Sequence, residues 1–153
     1  MKLLLDTNVI LDYLGANEGF TDAAFALFQF AEERKDLKLV SSSAMTDIFY
    51  VLRRAVQDRE LAIKKFASLR KRIDILPVTG EDIDKAFARN WKDFEDAVQY
   101  TVAEKNGIDI IITRNVKDFE ESEIPAMEPQ TFIKRYEELD SHGEERRNFS
   151  RRE

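Results

Sequence analysis

The chain has 153 residues, 43% of them hydrophobic and 11 of them phenylalanine, which is enough to bury the core of one domain without covalent staples. It has no cysteine, hence no disulfide frame, thiol nucleophile or thiolate zinc site; its single histidine, His142, rules out a multi-histidine metal centre and lies in a polar tail, which argues against a His-centred triad. The formal net charge of −6 is the wrong sign for an ordinary nucleic-acid footprint, although acids gathered around a bound cation inflate that count.

In chain order, Lys2 to Leu5 reads as a buried strand, a short apolar run ended by turn chemistry. Thr7 or Asn8 caps a short helix through Leu14, with Gly15 as its stop. Thr21 opens a helix to about Lys35, in which Ala24, Phe25, Phe28 and Ala31 recur at helical spacing and pack in the core. Leu37 to Val40 is a second strand. Ser43 then caps a helix with Ile48, Val51, Leu52 and Ala55 on one face. Arg59 to Lys71 forms the next helix, with Ile63, Phe66, Ala67 and Leu69 inward. Ile73 to Val78 is a third strand, which Pro77 places at a sheet edge or a strand end. Thr79-Gly80-Glu81-Asp82 reads as a capping box with Asp in the Glu position, and the helix beyond it carries Ile83 and Phe87.

Asp93 caps a further helix that ends near Asn106-Gly107. Asp109 to Ile112 is a strongly β-branched fourth strand, and Thr113-Arg114-Asn115 is the loop at its end. Ile124 to Met127 is a short fifth strand. Pro129 opens a last helix to about Leu139, with Phe132, Ile133 and Tyr136 inward. Residues 1–139 make one domain, and the polar stretch 140–153 is expected to be disordered. The basic clusters Arg53-Arg54, Lys64-Lys65, Arg70-Lys71-Arg72, Arg146-Arg147 and Arg151-Arg152 read as solvated helix faces. The apolar run Leu3–Leu5 is too short for a secretory signal, and no stretch approaches the roughly 20 residues of a membrane span. The expectation is a soluble, cytoplasmic protein.

Strands alternate with helices, which predicts an α/β fold: three layers, α/β/α, around a central parallel sheet of four to five strands. In such sheets ligands bind beyond the carboxyl ends of the strands. Four aspartates fall there. Asp6 follows the first strand, Asp47 lies early in the helix after the second, Asp96 at the start of the helix before the fourth, and Asp118 after the fourth. Each has a structural reading. Asp6 is a good helix cap, but Thr7 and Asn8 cap equally well, so function is the better reading. Asp47 alone is read better as a complement to the helix dipole. Asp96 is left without a structural task once Asp93 caps its helix. Asp118 is balanced between turn residue and ligand. Acids sharing one edge with no evident cation are costly to bury together. A divalent cation resolves that cost, and Mg²⁺ prefers such oxygen ligands. One or two ions would activate a water for in-line attack on a phosphate ester, with no His or Cys required.

Four strings, taken together, resemble the PIN domain, a family of small metal-dependent nucleases. They are Leu3-Leu4-Leu5-Asp6-Thr7-Asn8-Val9-Ile10; Ser43-Ala44-Met45-Thr46-Asp47-Ile48 with Tyr50-Val51-Leu52; Asp93-Phe94-Glu95-Asp96-Ala97-Val98; and Ile110-Ile111-Ile112-Thr113-Arg114-Asn115-Val116-Lys117-Asp118-Phe119. The likeness runs from Met1 to about Tyr136. It implies an endoribonuclease whose Asp6, Asp47, Asp96 and a last acid bind Mg²⁺ or Mn²⁺, with Asn8 supporting the site and Thr113 lining it. Members of this size are often VapC-like toxins of type II toxin–antitoxin pairs, commonly homodimers silenced by an antitoxin protein. Two positions depart from the family pattern. Asp47 stands where Glu is usual, and Asn115 where an acid is usual, so either Asn115 or Asp118 takes the fourth place. Arg114 is a candidate for contact with the RNA phosphate, against a plain surface role. Two other readings stand beside this one. A phosphohydrolase with an aspartyl-phosphate intermediate would want Asp where Asn8 stands. A catalytically weak or inactive domain would bind RNA or a protein partner without cutting.

Overall fold

The computed structural model describes the chain over residues 1–150 and its side chains over residues 1–142. Five strands, β1 (Lys2–Leu5), β2 (Leu37–Ser41), β3 (Asp74–Leu76), β4 (Ile110–Ile112) and β5 (Ala126–Met127), form one sheet in the order β3-β2-β1-β4-β5. All four pairings are parallel, with Leu4 level with Leu39 on one side and with Ile111 on the other. The helices are α1 (Thr7–Tyr13), α2 (Thr21–Arg34), α3 (Ser42–Val56), α4 (Arg59–Arg70), α5 (Gly80–Arg89), α6 (Phe94–Lys105) and α7 (Pro129–Ser150). None is long and apolar enough to cross a membrane among the described residues.

Strand alternation sorts the apolar residues onto two faces. Leu3, Leu5, Ile110 and Ile112 pack with Val9, Ile10, Leu27, Phe28, Ile48, Leu52, Leu69 and Phe132, which places α1 to α4 and α7 on one side of the sheet. Leu4, Leu39 and Ile111 pack with Tyr100, Ala103 and Phe119 on the other, where α6 lies, and α5 packs on α6. The three-layer α/β fold is therefore as the alternating pattern predicts, with β3 at an edge beside Pro77. The chain leaves β1 toward β2 and returns on its other side at β4. That reversal opens a crevice beyond the carboxyl ends of β1 and β4.

Several local expectations need correction. The cap of α1 is Asp6 itself, whose carboxylate accepts from Thr7 N, rather than Thr7 or Asn8. Ser41, not Ser43, is the cap residue of α3, because β2 runs directly into that helix. Phe25 is 53% exposed: α2 buries the stripe Ala24, Leu27, Phe28 and Ala31, and Phe25 sits one residue off it, against Tyr13. In α3, Ile48 and Leu52 are buried, but Val51 and Ala55 lie on the exposed flank. In α4 the inward positions are Ala62 and Leu69, with Phe66 half-buried, while Ile63 and Ala67 face out. The capping boxes fare better. Thr79 and Asp82 exchange both bonds at the start of α5, and Asp93 accepts from Asp96 N at the start of α6. Finally, α7 does not stop near Leu139 but runs to Ser150, through residues such as Glu and Arg that favour helix in solvent. The side chains of Arg146 and Arg147, and residues Arg151 and Arg152, lie outside the described residues.

Candidate metal-dependent active site

Asp6 sits where β1 gives way to α1, buried to 6% exposure. Four neutral donors converge on its carboxylate. Oδ1 accepts from Thr7 N at 2.6 Å and from Gln99 Nε2 at 3.0 Å. Oδ2 accepts from Thr113 Oγ1 at 2.7 Å and from Asn8 Nδ2 at 3.0 Å. No lysine or arginine pairs with Asp6 among the described residues. The Thr113 hydroxyl also accepts from Asn115 N, and Asn8 Oδ1 accepts from Arg114 N, so the loop after β4 is stitched to the turn after β1.

The other acids gather around this anchor. Asp96 opens the buried face of α6, and its carboxyl is pushed up to about 7 by burial first, then by Asp6, Asp93, Asp118 and Glu95. Glu95, beside it, is also raised, by burial first, then by Asp6, against a hydrogen bond from Thr7, and further by Asp47 and Asp93. Asp6 and Asp118 both act on Asp96, whereas Asp47, exposed on α3, enters only among the smaller influences on Glu95. Asp96 and Asp118 line a shared cleft of about 480 Å³ with Trp91, Lys92, Asp93 and Lys117. Asn115 is not in that cleft; with Arg114 it lines a separate one of about 360 Å³.

The chemistry of this donor set fits a hard divalent cation. Asp93, Asp96 and Asp118 share a cleft in which Lys92 and Lys117 form no ion pair with them, and burial with the neighbouring acids holds Asp96 half-protonated near neutrality. Among the described residues no group of three or more His, Cys, Asp or Glu side chains is placed to hold a metal ion. An ion here would rest on one or two carboxylates and its own waters.

Arg114 does not stand free for phosphate. Its Nε donates to Asp12 Oδ2 at 2.6 Å and its Nη2 to Asp12 Oδ1 at 3.2 Å, and its guanidinium stacks 4.0 Å from the centre of the Phe20 ring. The sequence reading missed Asp12, a buried acid on α1 that looks like one more polar residue in a short helix. It also missed Glu95 and Gln99. Glu95 was quoted within the third string and passed over as a neighbour of Asp96. The one available signal for Gln99 was an amide inside the mostly apolar run Ala97 to Ala103, which also holds Tyr100 and Thr101.

Residues 2–117 match the family model described as PIN domain. Ribonuclease VapC1 of Aquifex aeolicus is 28% identical over 146 residues, spanning 90% of this chain and 97% of that protein. Among solved structures, VapBC2 of Rickettsia felis bound to a promoter DNA fragment superposes with a TM-score of 0.63 at 13% identity, over 84% of this chain and 98% of that one. VapBC-1 of nontypeable Haemophilus influenzae gives 0.62 at 20% identity, over 85% and 99%. VapC20 of Mycobacterium tuberculosis, a toxin that cleaves the sarcin–ricin loop, gives 0.57 at 19% identity, over 71% and 86%.

Proposed function

This chain belongs to the PIN domain family, and from that premise we propose that it is a metal-dependent endoribonuclease, the toxin of a type II toxin–antitoxin pair. The observation that carries the reading is the carboxylate cluster at the β1/β4 crevice, anchored by an Asp6 that has donors but no cation. The relative named Ribonuclease VapC1 supports the reaction class. The toxin–antitoxin assemblies of like fold support an antitoxin as partner. A homodimer and a cytoplasmic location belong to the same proposal.

Asp6, Asp96, Asp118 and Asp47 would hold Mg²⁺ or Mn²⁺. When bound, the ion supplies an activated water and charge stabilisation at the scissile phosphate. The protein's own part is positional. Thr7 N, Asn8, Thr113 and Gln99 fix the Asp6 carboxylate in one orientation. An ion beside Asp96 would favour its ionised form, against the burial and the neighbouring acids that raise its pKa. Asp118 takes the fourth acid's place in preference to Asn115, since its charge reaches Asp96 and it shares that cleft. With Arg114 engaged by Asp12, Lys92 and Lys117 on the acidic cleft are the better candidates to meet the RNA backbone.

The test is cleavage of a mixed structured-RNA pool with Mg²⁺, Mn²⁺ or EDTA, by wild type, Asp6→Asn and Asp96→Asn. Cutting by wild type alone, and only with metal, is the expected result. RNA binding without cutting, from a folded and antitoxin-free sample, would overturn it in favour of a binding-only domain.

A further inference from the structure

Gln99 lies on α6 among Val98, Tyr100 and Val102, and is 1% exposed. Its Nε2 donates to Asp6 Oδ1, a residue 93 positions away in the chain. Its Oε1 is the one buried side-chain polar atom with no hydrogen-bond partner among the described residues. Turning the amide over would set Oε1 against the Asp6 carboxylate, so the contact itself decides which end faces the acid.

A half-satisfied amide in such surroundings costs stability that an apolar side chain of the same shape would not. The neighbouring buried polar residue shows the alternative. Thr101 is 2% exposed and satisfied: its hydroxyl donates to Ala97 O at 2.7 Å and accepts from Arg89 Nε at 2.9 Å. Thr101 serves the α5–α6 packing, whereas Gln99 serves only Asp6.

We infer that Gln99 is a positioning residue of the acidic site: its N–H orients Oδ1 of Asp6, and its free carbonyl oxygen accepts from a donor that enters with a hydrated divalent cation. The inference rests on the metal-dependent reading above. It goes further by assigning a neutral amide outside the acidic set to ion binding. Groups that orient a metal's ligands commonly change metal affinity 10- to 100-fold when removed, although they never touch the ion.

The experiment uses the full chain and Mn²⁺ as the probe. Wild type, Gln99→Met, Gln99→Glu and Thr101→Val are compared by melting in EDTA, by calorimetric titration with Mn²⁺, and by kcat and KM on RNA. Gln99→Met keeps the shape and removes both polar ends. It is expected to melt at or above the wild-type temperature, to bind Mn²⁺ about tenfold more weakly, and to lose kcat with KM unchanged. Gln99→Glu keeps an acceptor but loses the N–H and sets an oxygen against Asp6 Oδ1, so it is expected to bind Mn²⁺ more weakly than wild type. Thr101→Val is expected to melt lower and to bind Mn²⁺ normally. Wild-type Mn²⁺ affinity in Gln99→Met overturns the inference while leaving the nuclease reading intact. Failure of Gln99→Met to fold also overturns it, because the amide would then be structural. A wild-type protein that takes up no Mn²⁺ and cuts no RNA overturns both.

Discussion

At the amino-terminal end of the sheet, Asp36 is buried between two cations, the terminal amine of Met1 at 2.8 Å and Arg34 Nε at 2.9 Å. At the carboxyl end Asp6 is buried just as deeply, and every group that touches it is neutral. The two other buried aspartates of the described residues side with Asp36: Asp12 has Arg114, and Asp82 has Lys105. Asp82 is also held below the usual carboxylate range, by the Thr79 backbone N–H first and, against the cost of burial, by Lys105. A buried acid with its own cation is electrically complete, and removing either partner strands the other. A buried acid held only by neutral donors keeps its charge on offer. The same residue type thus has two kinds of partner, cations at Asp36, Asp12 and Asp82 and neutral donors at Asp6.

The largest effect should come from breaking a completed pair. Asp12→Ala leaves Arg114, whose side chain is 26% exposed beside Asp12, without its counter-charge. It should cost about 2–3 kcal/mol in urea unfolding. Asp6→Asn, measured alongside in EDTA, should cost less, because relief of repulsion with Asp96 offsets the two donors that its amide nitrogen would face; an equal loss in both would erase the distinction.

The second effect is on pH. Asp96 has a folded pKa of about 7 against an ordinary 3.8, so the folded state holds its proton more tightly than the unfolded chain does. Its stabilising contribution is fully present below about 3.8 and is lost as pH rises through about 7. Metal-free protein should therefore melt progressively lower across that window. Asp96→Asn should flatten the trend, and Mg²⁺ should restore the melting temperature at the alkaline end. The change should be modest, because Asp96 is only half-buried. A trend unchanged in Asp96→Asn would place the titrating group elsewhere.

Smaller still is the capping box of α5. Thr79→Ala removes the bond to Asp82 N and should cost about 1 kcal/mol by thermal melting, with Mn²⁺ binding untouched. The smallest effect belongs to the tail. Truncation after Leu139 tests the proposed domain boundary: it removes Asp140, an exposed partner of Arg34 that still leaves Asp36 in place. The loss should be under about 1 kcal/mol, with RNA cleavage retained. A truncated chain that fails to fold would move the boundary into α7.

The parts of the fold that were legible in sequence are those whose physics is local. β1 and β4 announce themselves as short apolar runs, Thr79 and Asp93 as caps, and Gly107 as a helix stop with φ of +63°. Helix faces were read less well. Phe25 and Phe87 are exposed to 53% and 78%, because periodicity finds a stripe but not how far the neighbouring layer covers it. The proposed site divides the same way. In sequence, Asp6, Asp47, Asp96 and Asp118 read as acids falling at one edge of an α/β sheet, Asp47 alone better as a complement to the helix dipole, and Asn8 and Thr113 enter through family resemblance.

What sequence alone determined is the order of strands and helices, the acidic character of the carboxyl edge, and the lack of any cysteine. Only the tertiary structure decided which acids are spent on cations and which are not. Asp12 meets Arg114 across 102 residues, and Asp6 meets Gln99 across 93 and Thr113 across 107. Those meetings are set by the parallel register of β1 and β4 and by the way α6 lies against the sheet. Periodicity and capping act over a few residues, whereas the pairing of buried charges is settled by elements that come together only when the sheet closes.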